Sequence, residues 1–359
     1  MKDLLEINAL TVQLPTAQGW VRPVNEVSLR ISAGECLGLV GESGSGKTML
    51  SLALMGLLPV GARVSGEAWL QGAPAALLNE SVPKRESSES IRRNLVRLSQ
   101  QEFQKVRGRE AAMIFQEPMT SLNPVMRVGK QIEEVIRAHY PRMLERQIES
   151  WTMESMRRAA LPEPKVRGQQ YPHQLSGGLR QRVMIAMAIA AGLADPGLEM
   201  ASLEKRQAGD LLCGPRLLIA DEPTTALDVT VQKEILELLQ RLRRDLGLGL
   251  LFITHDLGVV AQVADRVAVL YAGRVVEEGP ASEVLGAPKH PYTQGLLAAS
   301  PSLERGKLKP IPGSVPQLTA LPPGCAFEPR CDFRRSDCVA AVPELRLASK
   351  EHSARCVLV

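Results

Sequence analysis

Aromatic residues are scarce in this chain, 3% of 359 positions. That shortage works against a reader of single-stranded nucleic acid, which needs ring faces for stacking. Long apolar runs are lacking as well. The longest mostly apolar stretch, residues 183–194, falls well short of the roughly 20 residues that cross a bilayer. The opening Met1-Lys2-Asp3-Leu4-Leu5-Glu6 carries two acids early and no long apolar segment, so no secretory signal is apparent. The net charge of +4 is too small to indicate a nucleic-acid partner, and a solvated, balanced surface accounts for it. No internal repeat is found. These absences leave a cytosolic globular protein, long enough for one large domain with appendages or for two domains. If it acts at a membrane, it does so by docking on other subunits.

What is present alternates between strand and helix, the pattern of a layered α/β fold with a mostly parallel sheet. Residues 36–40 form a short apolar run ending in a glycine-rich turn, and residues 48–58 read as a buried helix. Residues 217–220 are a second apolar strand ending in two acids; residues 250–254 are a third, ending in His255 and Asp256. Between them, residues 231–246 place Ile235, Leu238, Leu239, Leu242 and Leu246 on one helical face, with Gly247 as a C-cap. In open parallel sheets ligands collect at the carboxyl ends of strands, where all three of these deliver polar residues. Two stretches read as insertions: residues 73–101, rich in Ser, Glu and Arg and expected to be mobile or a surface helix, and residues 193–214. After Gly279, frequent Pro, Gly and Ser mark a linker or small appended lobe.

Gly41-Glu42-Ser43-Gly44-Ser45-Gly46-Lys47-Thr48 fits the phosphate-loop pattern G-x-x-x-x-G-K-[ST] and lies between a strand and a helix, as that pattern requires. Its glycines let backbone N–H groups converge on phosphates, and the helix N-terminus adds its dipole. Lys47 supplies charge to the β- and γ-phosphates of ATP, and the Thr48 hydroxyl is placed to ligate Mg²⁺. Asp221 can hold Mg²⁺, directly or through water, while Glu222 is placed as general base on a water facing the γ-phosphate. Two acids on an exposed strand end would carry little meaning alone; the upstream phosphate loop gives them one.

Leu175-Ser176-Gly177-Gly178, followed by Leu179-Arg180-Gln181-Arg182, resembles the signature segment of ABC ATPases. Leu179 stands where that family usually carries Gln, although its peptide-transport branch often has an apolar residue there. Ser176 and two glycines at a helix start form a second anion cradle, for which a single nucleotide has no use. The resemblance resolves this: two cassettes pair head to tail, and the signature of one closes on the ATP of the other. Gln116, in Ile114-Phe115-Gln116-Glu117-Pro118, matches the loop that senses Mg²⁺ and the attacking water and couples to membrane subunits. Asp228, in Ala226-Leu227-Asp228, matches the loop at the dimer seam, and His255 matches the switch histidine at the γ-phosphate. The implied fold is a P-loop NTPase cassette: a RecA-like core, an antiparallel β subdomain and a helical subdomain at about 117–192 within residues 1–279, followed by a C-terminal extension over 280–359. The family stacks adenine on an aromatic residue; Leu14 occupies that position here and Trp20 is the nearest ring.

Residues 116–124 (QEPMTSLNP), Tyr171-Pro172-His173-Gln174 and His290-Pro291-Tyr292-Thr293 resemble the dipeptide/oligopeptide importer branch, which also includes nickel importers. Four of the six cysteines, Cys325, Cys331, Cys338 and Cys356, fall at C-x5-C-x6-C-x17-C. In a reducing cytosol such a cluster favours a metal site over disulfides. Four thiolates hold either Zn²⁺ or a cubane, and these wide loops favour the bulkier [4Fe–4S] cluster, which some members of the branch carry; free thiols or disulfides are the remaining readings. The resemblance implies a cassette at the cytoplasmic face of the plasma membrane. It would work with a second, related but different ATPase subunit, two membrane permeases and an extracytoplasmic solute-binding protein. Nickel or another small solute is the alternative cargo. A non-transport ABC ATPase of DNA repair or translation is the alternative class, disfavoured because the chain has neither coiled-coil insertions nor a second cassette.

Overall fold

The computed structural model describes residues 3–17, 19–74, 90–194, 214–300 and 309–359. Strands β1 (Asp3–Thr16), β2 (Gly19–Ser32), β4 (Arg63–Pro74) and β5 (Ser90–Asn94) pair antiparallel as a four-stranded sheet in the order β2-β1-β4-β5. The larger sheet has β3 (Cys36–Val40), β6 (Ala111–Ile114), β7 (Leu217–Asp221), β8 (Gly249–Thr254) and β9 (Arg266–Tyr271) running parallel. The hairpin partner β10 (Arg274–Pro280) follows on one edge and carries β12 (Ser353–Ala354) and β11 (Arg346–Leu347) beyond it.

The central strands are buried throughout, as a sheet covered on both faces demands. Their period-two alternation divides the interior in two. Ala112, Ile114, Leu218, Ala220, Leu250 and Phe252 face the helical side, where Val128–His139, Glu145–Arg158 and Gly177–Leu193 pack together around the buried Trp151. Their neighbours Ala111, Met113, Leu217, Ile219, Leu251 and Ile253 join the core beneath the antiparallel sheet.

Helix boundaries follow local chemistry. Asp228 caps helix Val229–Leu246 by accepting the Val231 N–H at 3.0 Å; Ile235, Leu238, Leu239 and Leu242 form its buried stripe, and Gly247 closes it in the left-handed region. The helix after the phosphate loop spans Lys47–Leu54, shorter than the expected 48–58, because Gly56 turns left-handed against the Phe103 ring. The first expected insertion is corrected in part. Residues 90–94 pair with β4, and Ser99 with Glu102 forms a capping box that starts helix Gln100–Val106, whose Phe103 and Val106 are buried. Residues 75–89, and most of the second expected insertion, lie outside the described residues.

Among the described residues, those after 280 share one core with the main sheet: Val284, Tyr292 and Phe327 cluster with Val40, Val267, Val269 and Tyr271. Tyr292 packs tilted and Phe327 edge-on against Tyr271 of β9, at centroid distances of 4.5 and 5.3 Å, and β12 extends the main sheet from β10. Glu277 of β10, fully buried, accepts the backbone N–H groups of Lys289 at 2.6 Å and His290 at 2.9 Å and pairs with His352 Nε2 at 2.7 Å. The aromatic face of Tyr271 needs cover, and this segment supplies it.

Candidate nucleotide site

At the end of β3 the chain turns through residues 41–46 into helix Lys47–Leu54. Gly46, at φ 108°, passes so close to the Pro23 carbonyl that an added Cβ would lie 1.9 Å from it. Lys47 folds back beneath the loop, its Nζ donating to the carbonyls of Gly41 at 2.7 Å and Glu42 at 2.9 Å and approaching Ser45 Oγ at 3.4 Å. Burial lowers the ammonium's pKa; the carboxylates of Glu222, Asp221 and Glu42 oppose that shift. A buried cation bonded to neutral carbonyls, under a glycine-rich loop, is a receptor for an anion.

Asp221 ends β7 almost wholly buried. Burial raises its pKa, and a hydrogen bond with Thr48 opposes the shift. Among the described residues its Oδ1 has no hydrogen-bond partner. A buried carboxylate oxygen left unpaired is costly, and a cation bridging it and the Thr48 hydroxyl would satisfy it.

Glu222 adopts a left-handed backbone (φ 46°), which directs its side chain away from β7, while its N–H donates to the Ile253 carbonyl at 2.9 Å. Three segments then bracket the carboxylate. Gln116 Nε2 donates to Oε2 at 3.1 Å and Thr225 Oγ1 to the same oxygen at 2.9 Å, while His255 Nδ1 lies 3.2 Å from Oε1. Lys47, Thr48, Gln116, Asp221, Glu222 and His255, each expected from sequence, thus meet at one end of the parallel sheet. Ser43 and Gly44 sit exposed on the loop above them.

The signature residues do not join this group. Among the described residues no hydrogen bond or ion pair links Ser176, Gly177 or Gly178 to it. Ser176 caps helix Gly177–Leu193, Gly177 packs on Leu227, and Gly178 lies against Val231, close to the exposed Asp228. Trp20 is 45% exposed with the Arg63 guanidinium 4.1 Å over its ring; Leu14 is partly buried in β1.

Three contributors were missed by sequence reasoning. Thr225 had a weak signal, its place three residues after Glu222. Tyr292 stood inside a recognised segment without a role; its hydroxyl accepts the Glu42 N–H at 2.8 Å. Arg330 had no signal, being nearly three hundred residues from its partner Glu42.

The four C-terminal cysteines are free thiols, each within electrostatic reach of the others. Burial raises the pKa of Cys325 to about 11 and also raises those of Cys331 and Cys356. Among the described residues no set of three or more His, Cys, Asp or Glu stands as a metal-binding group. The expected cluster therefore has convergent thiols but no formed cage. Cys36, buried in β3, behaves as a small apolar residue, with its pKa raised to about 12 by burial.

A glycine-rich loop around a buried lysine, facing two acids at the carboxyl end of a parallel sheet, defines a P-loop nucleotide hydrolase. The ABC transporter family matches residues 24–193, and the oligopeptide/dipeptide transporter C-terminal region matches residues 276–338. A putative peptide import ATP-binding protein of Brucella melitensis is 43% identical over 99% of this chain and 97% of its own length. The oligopeptide transport ATP-binding protein OppD of Salmonella typhimurium is 43% identical over 95% of this chain and 89% of its own. A dimeric bacterial ABC transporter cassette superposes with TM-score 0.57 at 25% identity, covering 77% of this chain and 98% of that one. The chain belongs to the ABC transporter family, as an ATPase cassette that carries the oligopeptide/dipeptide transporter C-terminal region.

Proposed function

We propose that this chain is the ATP-hydrolysing subunit that energises import of di- or oligopeptides. The observation that carries the catalytic reading is the Glu222 carboxylate, held by Gln116, Thr225 and His255 beside the buried Lys47 and Asp221. Gly41, Ser43, Gly44, Ser45 and Gly46 present their backbone to the ATP phosphates, and Lys47 meets the β- and γ-phosphates. Thr48 and Asp221, with Gln116, would hold Mg²⁺, which would supply charge neutralisation at the phosphates; the Asp221 Oδ1, without a partner among the described residues, supports this. Glu222 takes the proton of the attacking water, and His255 contacts the γ-phosphate and orients the acid.

Ser176, Gly177, Gly178 and Asp228 serve the nucleotide of a partner cassette, a reading supported by their separation from this chain's own loop. Closure of that pair on ATP and reopening after hydrolysis would drive the permeases between two access states. An apolar groove of about 420 Å³, lined by Met55, Leu57, Met113, Phe115, Leu122 and Met184, opens beside Gln116. With the Phe115 ring exposed in its lining, it is suited to a permease segment. Among the described residues no helix is long and apolar enough to cross a membrane, so attachment at the cytoplasmic face would rest on such docking.

Residues 1–279 form the working cassette in this reading, and 280–359 the branch-specific extension. Its four cysteines would hold a [4Fe–4S] cluster, with Zn²⁺ as the alternative; convergence of free thiols supports this, and binding would have to draw them into a cage. Peptides are favoured over nickel or another solute by the names of the two relatives above. Reconstitution with permeases and a binding protein tests the whole. Peptide-stimulated ATP hydrolysis that disappears in Glu222→Gln supports it, and hydrolysis unaffected by that change removes the catalytic assignment. Iron, sulfide and zinc per chain, measured on anaerobically purified protein, separate the three cysteine readings.

A further inference from the structure

Arg330 immediately precedes Cys331, yet its side chain, 5% exposed, leaves the cysteine segment for the phosphate loop. Nη1 and Nη2 donate to Glu42 Oε2 and Oε1 at 2.7 and 3.0 Å, while Nε donates to the Pro312 carbonyl at 2.8 Å and Nη1 approaches the Tyr271 hydroxyl at 3.3 Å. Tyr292 holds the Glu42 backbone N–H. The second residue of the loop is thus gripped at its carboxylate and at its backbone by two residues from beyond position 280.

The Glu42 carboxylate stands close enough to Lys47 to act on its ammonium. That is the charge the loop offers to phosphates. An uncompensated carboxylate there would repel the same anion, and a bidentate guanidinium cancels it at short range while fixing its orientation. We propose that Arg330 is a positioning residue for the nucleotide: it neutralises and pins Glu42, and thereby links nucleotide affinity to the seating of the four-cysteine segment. By thermodynamic reciprocity, bound nucleotide then holds that segment down.

This inference rests on residues 41–48 being the phosphate loop, and Lys47→Ala tests that premise separately by abolishing nucleotide binding. The full-length chain, titrated with ADP and with ATP–Mg²⁺, should bind about 5- to 50-fold more weakly in Arg330→Met, a range typical of coupled sites. Adding Glu42→Gln removes the stranded carboxylate, so the double variant should recover most of that loss. Arg330→Lys, which keeps the charge but not the fork, should fall between wild type and Arg330→Met. Nucleotide should also slow backbone amide exchange across residues 325–338 in the wild type and not in Arg330→Met. Unchanged affinity in Arg330→Met, a double variant as weak as the single, or equal protection of residues 325–338 in both proteins overturns the proposal. If Arg330→Met does not fold, the comparison of Arg330→Lys with the Glu42→Gln double decides it. Normal dependence on Lys47 with no Arg330 effect sinks this inference alone.

Discussion

At the scale of single residues, the site works by placing groups where water cannot easily serve them. Lys47 and Asp221 are buried with their charges incompletely paired, and Glu222 is turned from its strand by a left-handed backbone. Replacing Glu222 by Gln keeps the shape and the hydrogen bond from Thr225 but removes the proton acceptor. Single-turnover hydrolysis should fall by about 10²- to 10⁴-fold, the usual contribution of a general base, while ATP remains bound. Filter-binding beside quenched-flow assays distinguishes loss of chemistry from loss of affinity. The loop residues and the two acids were legible in sequence because each pattern is local and follows a strand. Thr225 was not, since its role depends on where Glu222 points.

At the scale of elements, the signature helix and the Asp228-capped helix meet at a glycine. A Cβ on Gly178 would lie 2.5 Å from Val231 Cγ1. Gly178→Ala should destabilise the cassette by about 1–3 kcal/mol, as overpacking does, and adding Val231→Ala should restore much of it. Urea midpoints for the single and double variants check this. Asp228→Ala should cost about 0.5–2 kcal/mol through its lost cap, and the same denaturation series reads it. Periodicity marked the Asp228-capped helix well because one face is buried and the other solvated. Within the stretch 73–101, expected to be mobile or a surface helix, the strand at 90–94 was missed because a short polar strand pairing at an edge carries little periodic signal.

At the scale of the molecule, the C-terminal segment is built onto the main sheet through buried polar groups. His290, whose Nδ1 accepts the Tyr292 N–H at 3.0 Å, is fully enclosed, and burial lowers its pKa from 6.5 to about 3. Between those values the unfolded chain binds a proton that the folded chain refuses. His290 therefore contributes stability above pH 6.5 that is lost as pH falls toward 3, with a slope of up to about 1.4 kcal/mol per pH unit. His290→Asn keeps an acceptor for the cap and removes the titration. Its urea midpoint should fall less than the wild type's between neutral and mildly acidic pH. An equal fall in both proteins assigns the acid sensitivity to other groups.

Sequence alone determined the class of this protein: the loop with its lysine and threonine, the paired acids, the signature and the switch histidine are short, contiguous and tied to strand ends, so residue order suffices to find them. Tertiary structure decided which of them meet. It set Gln116, Thr225 and His255 around one carboxylate and kept Ser176–Gly178 apart from it. It also brought Arg330 and Tyr292 to the phosphate loop across most of the chain's length. Such contacts are fixed by how sheet edges and aromatic faces find cover, and that is a property of the packed chain rather than of any local pattern.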